Sequence, residues 1–267
     1  MARGSVLRRL LRQRRSHPLH MTLLDPDKQR PEVAGRIATA VEAAGTSALM
    51  VGGSTGVSRH GLDDTLLAIK SVSTLPVILF PGGAAMLSPY ADAVYFMSML
   101  NSTIPRFLVD EQARGAPFIA KLGIEPIPMG YIIVAPGMRV GEVGRAKVVE
   151  RTDHRRAIGL ALTGQYFGMA LIYLEAGSGA DKPVPPAMIS AVKAALDIPL
   201  IVGGGIRTPA QAAAAVAAGA DIIVTGTIVE QADDVHRRVA ALVEATTGRQ
   251  RSRAQAAPRH PRGRRAR

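Results

Sequence analysis

Three apolar runs in the last third of the chain each break on residues able to grip a phosphate ester. They are ALIYLEAGSGA at 170–180, PLIVGGGIRT at 199–208 and ADIIVTGTIVE at 220–230. Gly, Ser and Thr at such points expose backbone N–H groups that an anion can reach with no Cβ in the way. Gly203-Gly204-Gly205 and Thr225-Gly226-Thr227 therefore form a candidate phosphate cradle, reinforced by the positive ends of the helices expected to follow. Glu175, in the first run, stands within reach of whatever the phosphate carries. A second chemical signal lies in LLDPDK at 23–28, where Asp25 and Asp27 flank Pro26. Hard carboxylates on a stiffened backbone suit magnesium, which keeps several waters and binds substrate phosphates as well. Asp-Pro-Asp equally suits the capping of a helix that begins near Pro31. Ser54 and Thr55 add two hydroxyls after the glycine pair at 52–53. Taken with the phosphate cradle, these groups favour a metal-assisted reaction of a diphosphate.

Such residues need a scaffold that gathers distant strand ends. Similar short runs occur at 20–24, 47–51, 76–80, 93–97 and 127–134, making eight with the three above. Each is long enough for a buried parallel strand and too short for a helix. Helical patterns fall between most of them, over 31–44, 63–72, 145–167, 185–196, 209–218 and 232–246. Alternating βα units predict a parallel sheet with helices outside. The expected fold is an α/β (β/α)8 TIM-type barrel, in which the loops after strands 7 and 8 commonly hold phosphate. An open doubly wound sheet is the competing architecture. Residues 98–124, with Pro105, Gly115, Pro117 and Gly123, read as irregular, and 52–62 and 81–92 read as active-face loops.

Composition narrows the function classes. A chain of 267 residues that is 47% hydrophobic can bury one large core, and a barrel uses about 250 residues. With no Cys, disulfides, zinc–thiolate sites and thiol nucleophiles are excluded. No run is long and apolar enough to span a membrane. The net charge of +12 is concentrated at the ends: residues 1–16 carry six Arg and residues 249–267 carry eight, with no acid in either. Setting those fourteen aside leaves the body at −2. The expected organisation is a basic extension over 1–16, the barrel over 17–248 and an Arg-rich disordered tail over 249–267. Both ends read as solvating segments. Their functional alternative is peripheral contact with anionic lipid headgroups, worth about 1 kcal/mol per basic residue. SVLRRLLRQ at 5–13 would form a short basic amphipathic turn at such an interface. An Arg-rich, acid-free N-terminus also fits an organelle presequence. No nucleic acid is expected, because the ends lack aromatics to stack on bases.

HMTLLDPDK, AGTSALMVGGSTGV, PVILFPGG, ADAVYFMSMLNS, GYIIVAPG, YLEAGSGA, IPLIVGGGIRT and AGADIIVTGTIVE together resemble the geranylgeranylglyceryl phosphate synthase family, including its bacterial PcrB-type relatives. The similarity runs from about His20 to Glu244. It implies a modified barrel that joins a polyprenyl diphosphate, geranylgeranyl diphosphate above all, to the primary hydroxyl of sn-glycerol 1-phosphate. The products are a prenyl ether, the first ether bond of archaeal-type membrane lipids, and pyrophosphate. Carried over by block, the resemblance puts Mg2+ on Asp25 and Ser54. It puts glycerol phosphate on Tyr173, Leu174, Glu175, Ala176, Gly177, Ser178 and Gly179, on Gly203 and Gly204, and on Gly226 and Thr227. Lys28 adds positive charge at the mouth. Two departures stand out: Ala135 and Glu142 replace the Glu and Trp common after strand 5, and AAM at 84–86 replaces polar residues.

Catalysis is expected of Asp25, Tyr173 and Glu175. An allylic diphosphate ionises when its departing charge is stabilised, as a magnesium ion at Asp25 would do. Glu175 is expected to orient the glycerol and accept the hydroxyl proton, and Tyr173 to hydrogen-bond the acceptor or face the developing cation. Plain core packing is the alternative for Tyr173. Ala91, Ala93, Tyr95, Met97, Met99 and Leu100 are expected walls of a prenyl groove, or alternatively barrel core. The competing functions are another phosphate-binding barrel enzyme acting on a sugar phosphate, and a non-catalytic prenyl-phosphate binder. No H-E-x-x-H pattern supports a zinc hydrolase, and Ser178 in AGSGA follows its strand too gently to imitate the nucleophile elbow of a serine hydrolase. A cytoplasmic homo-oligomer, peripheral at the inner membrane face, completes the expectation.

Overall fold

The computed structural model describes residues 4–53, 59–230 and 234–248. Ser54, expected as a magnesium ligand, and the C-terminal segment 249–267 lie outside the described residues. In chain order the elements are α1 (Ser5–Arg14), β1 (Leu19–Leu24), α2 (Pro31–Ala44), β2 (Ala48–Val51), α3 (Arg59–Lys70), β3 (Val77–Leu79) and β4 (Ala93–Met99). They continue with α4 (Glu111–Leu122), β5 (Glu125–Ile133), α5 (Met138–Val143), α6 (His154–Tyr166), β6 (Leu171–Glu175) and α7 (Pro186–Ala195). The last are β7 (Leu200–Gly203), α8 (Pro209–Ala217), β8 (Ile222–Thr225), α9 (Thr227–Glu230) and α10 (Val235–Thr247). The eight strands pair in sequence order, all parallel, and β8 closes on β1 with Leu19 opposite Ile222. The expected barrel is the observed fold.

Local chemistry starts and stops several helices where the sequence says it should, although the helix expected over 145–167 begins only at His154. Pro31 opens α2 and Gly45, at φ 96°, ends it in the left-handed conformation. Asp153 accepts the Arg156 N–H at the start of α6, and Thr208 with Gln211 forms a complete capping box on α8. Strand alternation then sorts the core into layers. Met21, Met50, Ile78, Tyr95, Met129, Tyr131, Tyr173, Ile201 and Val224 point into the lumen. Leu24, Val51, Leu79, Ile172, Leu174, Val202 and Ile223 point outward against the helices.

The expectation of a disordered N-terminal extension is corrected by α1. Its Val6 and Leu10 are buried and join the lumen cluster, so the helix closes the end of the barrel where the strands begin. Burying side chains of this size contributes about 1.5–3 kcal/mol each. The carboxylate of Glu125, at the start of β5, accepts the Val6 and Leu7 N–H groups at 2.8 and 2.9 Å. Two of the otherwise unpaired donors of the first turn are thereby satisfied. At the other end of the helix Arg14 reaches Asp221 at 2.5 Å.

Residues 98–124 are more regular than expected. A π-helical turn over Arg106–Asp110 runs directly into α4, which carries Pro117 internally. By contrast, no helix follows β3: residues 80–92 cross the side of the barrel without regular structure. The outer layer is therefore thinned between α3 and α4.

Candidate active site

Strand parity aims the chemistry of β6. Tyr173 and Glu175 face the lumen, whereas Leu174 and Ala176 pack outward among the helices. The Ala176 N–H is committed to the Gly203 carbonyl at 3.1 Å. The side chains of Leu174 and Ala176, two residues expected among the substrate contacts, thus pack in the outer layer. Tyr131 lies opposite Tyr173 in the β5–β6 register, and both hydroxyls hydrogen-bond to Glu175. The Gly177 N–H donates a third bond to its Oε1, at 2.7 Å. Burial raises the Glu175 pKa above the usual carboxylate range, and these donors only partly offset it. Burial and the adjoining carboxylate hold both tyrosines protonated, as donors. Glu175 is therefore a buried carboxylate with its proton affinity raised, clasped by two phenols.

The rings form a larger group. Phe80 stacks on Tyr173 with centroids 5.8 Å apart, meets Tyr131 edge-on at 5.4 Å and meets Tyr95 edge-on at 6.1 Å. Tyr131 and Tyr173 cross at 5.2 Å. Four of the chain's ten aromatic residues thus gather at the floor of the mouth, presenting the negative ring faces that attract cations.

One wall beside Glu175 consists of glycine. A Cβ on Gly204, at φ +79°, would collide with the Glu175 carboxylate, and one on Gly203 would collide with the Tyr173 hydroxyl. Gly177 and Gly179 are also left-handed, at φ 100° and 80°, a conformation glycine adopts without strain. Ser178 and Thr227 meet at 3.3 Å between their hydroxyls, drawing the β6 and β8 loops together. Gly203, Gly204, Gly226, Thr227 and Ser178 are accordingly brought to one wall. Thr225 is not. Its side chain points outward, where its hydroxyl lies 3.0 Å from His20 Nε2. The Thr225 side chain, expected beside the substrate, thus sits in the helix-facing layer.

That layer holds a closed polar network. Thr46 donates its hydroxyl proton to the His20 carbonyl at 3.1 Å, so its oxygen accepts from His20 Nδ1 at 2.9 Å. His20 Nε2 is then the acceptor for Thr225. Burial pushes the imidazole pKa down to about 4, keeping the ring neutral.

On the opposite wall Asp25 and Lys28 both line the cavity, with Lys28 Nζ 3.9 Å from Asp25 Oδ2. Asp25 Oδ1 accepts the Asp27 N–H at 3.1 Å, while the Asp27 side chain is exposed. The sequence's carboxylate pair therefore reduces to one inward carboxylate. A Cβ on Gly53 would lie 2.7 Å from Asp25 Oδ1, so glycine leaves that oxygen room. Among the described residues, no three His, Asp or Glu side chains cluster as a ready-made metal site.

From this mouth a cavity of about 380 Å³ extends into the thinned side of the barrel. Tyr95, Met97 and Met99 line it as expected; Ala91, Ala93 and Leu100 belong to core clusters instead. Sequence reasoning missed Phe80, Phe107, Tyr131, Gln112 and Arg139, which also line it. The inward parity of Ile127, Met129 and Tyr131 was a readable signal for Tyr131. Gln112 donates to the carbonyls of Met97 and Phe107, tying α4 to β4. Glu111 accepts the Ala84 N–H at 2.8 Å and the Arg106 guanidinium at 2.9 Å, pinning the β3–β4 crossing to α4. Of the sequence departures, Ala84 borders the cavity. Ala135 and Glu142 do not: the first donates to Val149 at 2.9 Å, and the second pairs with Arg139 at 3.3 Å on the surface.

Comparison with known proteins agrees with this geometry. The PcrB family pattern matches residues 9–246. A geranylgeranylglyceryl phosphate synthase from Thermococcus gammatolerans is 54% identical over 245 residues, covering 92% of this chain and 97% of its own. One from Thermococcus kodakarensis is 56% identical over 230 residues, covering 86% and 91%. A crystal structure of (S)-3-O-geranylgeranylglyceryl phosphate synthase from Thermoplasma acidophilum, in complex with sn-glycerol-1-phosphate, superposes with a TM-score of 0.90. That protein is 45% identical, with 93% of this chain and all of the other covered.

Proposed function

The chain belongs to the PcrB family, and on that premise we propose that it is a prenyltransferase acting on sn-glycerol 1-phosphate. The donor is a polyprenyl diphosphate, with geranylgeranyl diphosphate the first choice from the names of its relatives. The observation that carries the reading is the join between two unlike surfaces: a glycine wall beside Glu175, continuous with a mainly apolar cavity. A sugar-phosphate enzyme has no use for the apolar half.

Glycerol phosphate seats its anion against Gly203, Gly204, Gly226 and the Ser178–Thr227 hydroxyls, where backbone donors face it without side-chain obstruction. Its hydroxyl end then reaches Glu175. Tyr131 and Tyr173 hold that carboxylate in one orientation, and its raised proton affinity suits it to take the hydroxyl proton. The allylic C–O bond to diphosphate breaks, the new C–O ether bond forms, and the proton passes to Glu175. The faces of Tyr173 and Phe80 stabilise the transient allylic charge. Lys28 and Arg139 add positive charge at the cavity edge.

Magnesium fits this donor set. It is commonly held by one or two carboxylates plus substrate phosphates and water, and Asp25 is one carboxylate lining the cavity beside Gly53. When bound it supplies charge neutralisation to the leaving pyrophosphate. The test incubates purified protein with magnesium, labelled sn-glycerol 1-phosphate and prenyl diphosphates of increasing length. Chelator and the mirror-image glycerol 3-phosphate serve as controls. A magnesium-dependent, lipid-extractable ether is expected. No product with any donor, from protein that still binds glycerol phosphate, would replace this reading with that of a prenyl-phosphate binder.

A further inference from the structure

The face of the barrel opposite the mouth carries a pattern that the chemistry above leaves unused. Arg9 and Gln13 of α1, Thr46 before β2, Leu75 before β3 and Thr247 at the end of α10 line one cleft. Helix α1 and the point where the chain leaves α10 therefore share the N-terminal face of the strands. On α1, Val6 and Leu10 turn inward while Arg8, Arg12 and Arg15 are exposed, and the i, i+4, i+7 spacing sets the three on one side. The sequence after Gly248 carries eight more arginines and no acid. Several acids on this face are spent internally: Asp221 binds Arg14 and Lys193, Asp92 binds Lys70, and Glu125 caps α1, whereas Glu244 lines the same cleft and is exposed. Glu42 bonds the Thr74 hydroxyl and N–H.

The cavity points the same way. Its α4 wall is built from Glu111, Gly115 and Ile119, three positions four residues apart along one side of the helix. Eight residues of helix span about 12 Å, and α4 ends three residues before Glu125, the residue that caps α1. The apolar groove thus descends from the mouth toward the basic face. Exposed apolar side chains also occur in this part of the chain: Val72 between α3 and β3, Tyr90 just before β4, and Phe118 on α4. Arginines beside exposed aromatic and aliphatic side chains are the pairing that holds a protein at a lipid interface.

We infer that the N-terminal face of the barrel rests on an anionic lipid bilayer, with the lower end of the groove turned toward the acyl chains and the glycine-lined mouth in water. This orientation gives each substrate its own side. A water-soluble glycerol phosphate enters from above, and a prenyl chain too long for the groove continues into lipid below. Its benefit to catalysis rests on the proposed prenyl transfer, but the docking itself does not.

The full chain is sedimented with vesicles of neutral phosphatidylcholine and with vesicles containing phosphatidylglycerol, at low and high salt. Binding only to the anionic vesicles, lost at high salt, is expected. Replacing Arg8, Arg12 and Arg15 together by Gln should weaken it by roughly fivefold per residue, on the order of a hundredfold in all. Because the chain has no Trp, single introduced indoles report the orientation. With brominated anionic vesicles, Phe118→Trp should be quenched and Asp181→Trp, on the mouth side, should not. Failure to bind, equal binding to neutral vesicles, or equal quenching of both indoles would each overturn the inference. The vesicle readouts need no substrate, so they stand or fall apart from the enzymatic reading. If prenyl transfer is also found, the arginine variants should lose turnover with vesicle-borne long donors and keep it with short soluble ones.

Discussion

The two ends of this barrel are built from the same strands and finished in opposite ways. At the C-terminal end, glycines at 203, 204 and 177 hold a wall open and a buried carboxylate keeps raised proton affinity. At the N-terminal end, a helix fills the lumen and the carboxylates of Glu125 and Asp221 are spent on fixed partners. A polar group costs stability when buried without full partnership, so the mouth is where stability is traded for chemistry. The plugged end restores rigidity to the strands that carry it.

Four measurements sharpen or break that contrast. The largest effect belongs to Glu175→Gln, which keeps bonding to Tyr131 and Tyr173 but cannot take a proton. Turnover should fall about 10²–10⁴-fold while glycerol phosphate affinity, read by calorimetry, changes little; equal losses in both would remove the proposed role. Next is Gly204→Ala, which forces a left-handed alanine against Glu175. The strain should cost roughly 1–3 kcal/mol in denaturant unfolding and raise KM for glycerol phosphate, and a neutral result would mean the wall yields.

Third is the pH dependence of stability from His20, whose pKa falls from 6.5 to about 4 on folding. Stability from this group is full above pH 6.5 and drains as pH falls, because the unfolded chain takes up the proton first. The loss ends near the folded value and amounts to about 3 kcal/mol. Urea melts across that window should show the slope, and His20→Phe should flatten it. The smallest effect is Glu125→Ala, which leaves the Val6 and Leu7 N–H groups without their acceptor. It should lower stability by roughly 1–3 kcal/mol with kcat unchanged. A matching loss of kcat would show that the two ends are not independent.

Legibility in the sequence followed the same divide between local and distant causes. All eight strands were readable within a few residues, because short apolar runs between helical patterns are local signals. Helix α2 was read with both its ends, since Pro31 and Gly45 mark them. Helix α4 was hidden because Gly115 and Pro117 look like breakers, yet both lie inside it, and Gly115 lines the groove. Helix α1 was hidden by its arginines, since its case for folding rests on Glu125, more than a hundred residues away. Within the site, Glu175, Tyr173 and the glycines were legible as strand-end residues. At Thr225, Leu174 and Ala176 strand parity turns the side chains away from the mouth, which the sequence blocks alone did not reveal. Phe80 became visible only once the strands were placed side by side, whereas the alternation of Ile127, Met129 and Tyr131 already aimed Tyr131 inward.

The aromatic floor has a spectroscopic consequence. The chain has no Trp and five Tyr, and three of those five, Tyr95, Tyr131 and Tyr173, crowd around Phe80. Tyr90 and Tyr166 are exposed and free of that chiral packing. Near-ultraviolet circular dichroism of the unmodified protein therefore originates chiefly from the candidate active site. Occupation of that site can be followed optically, without a label and without turnover.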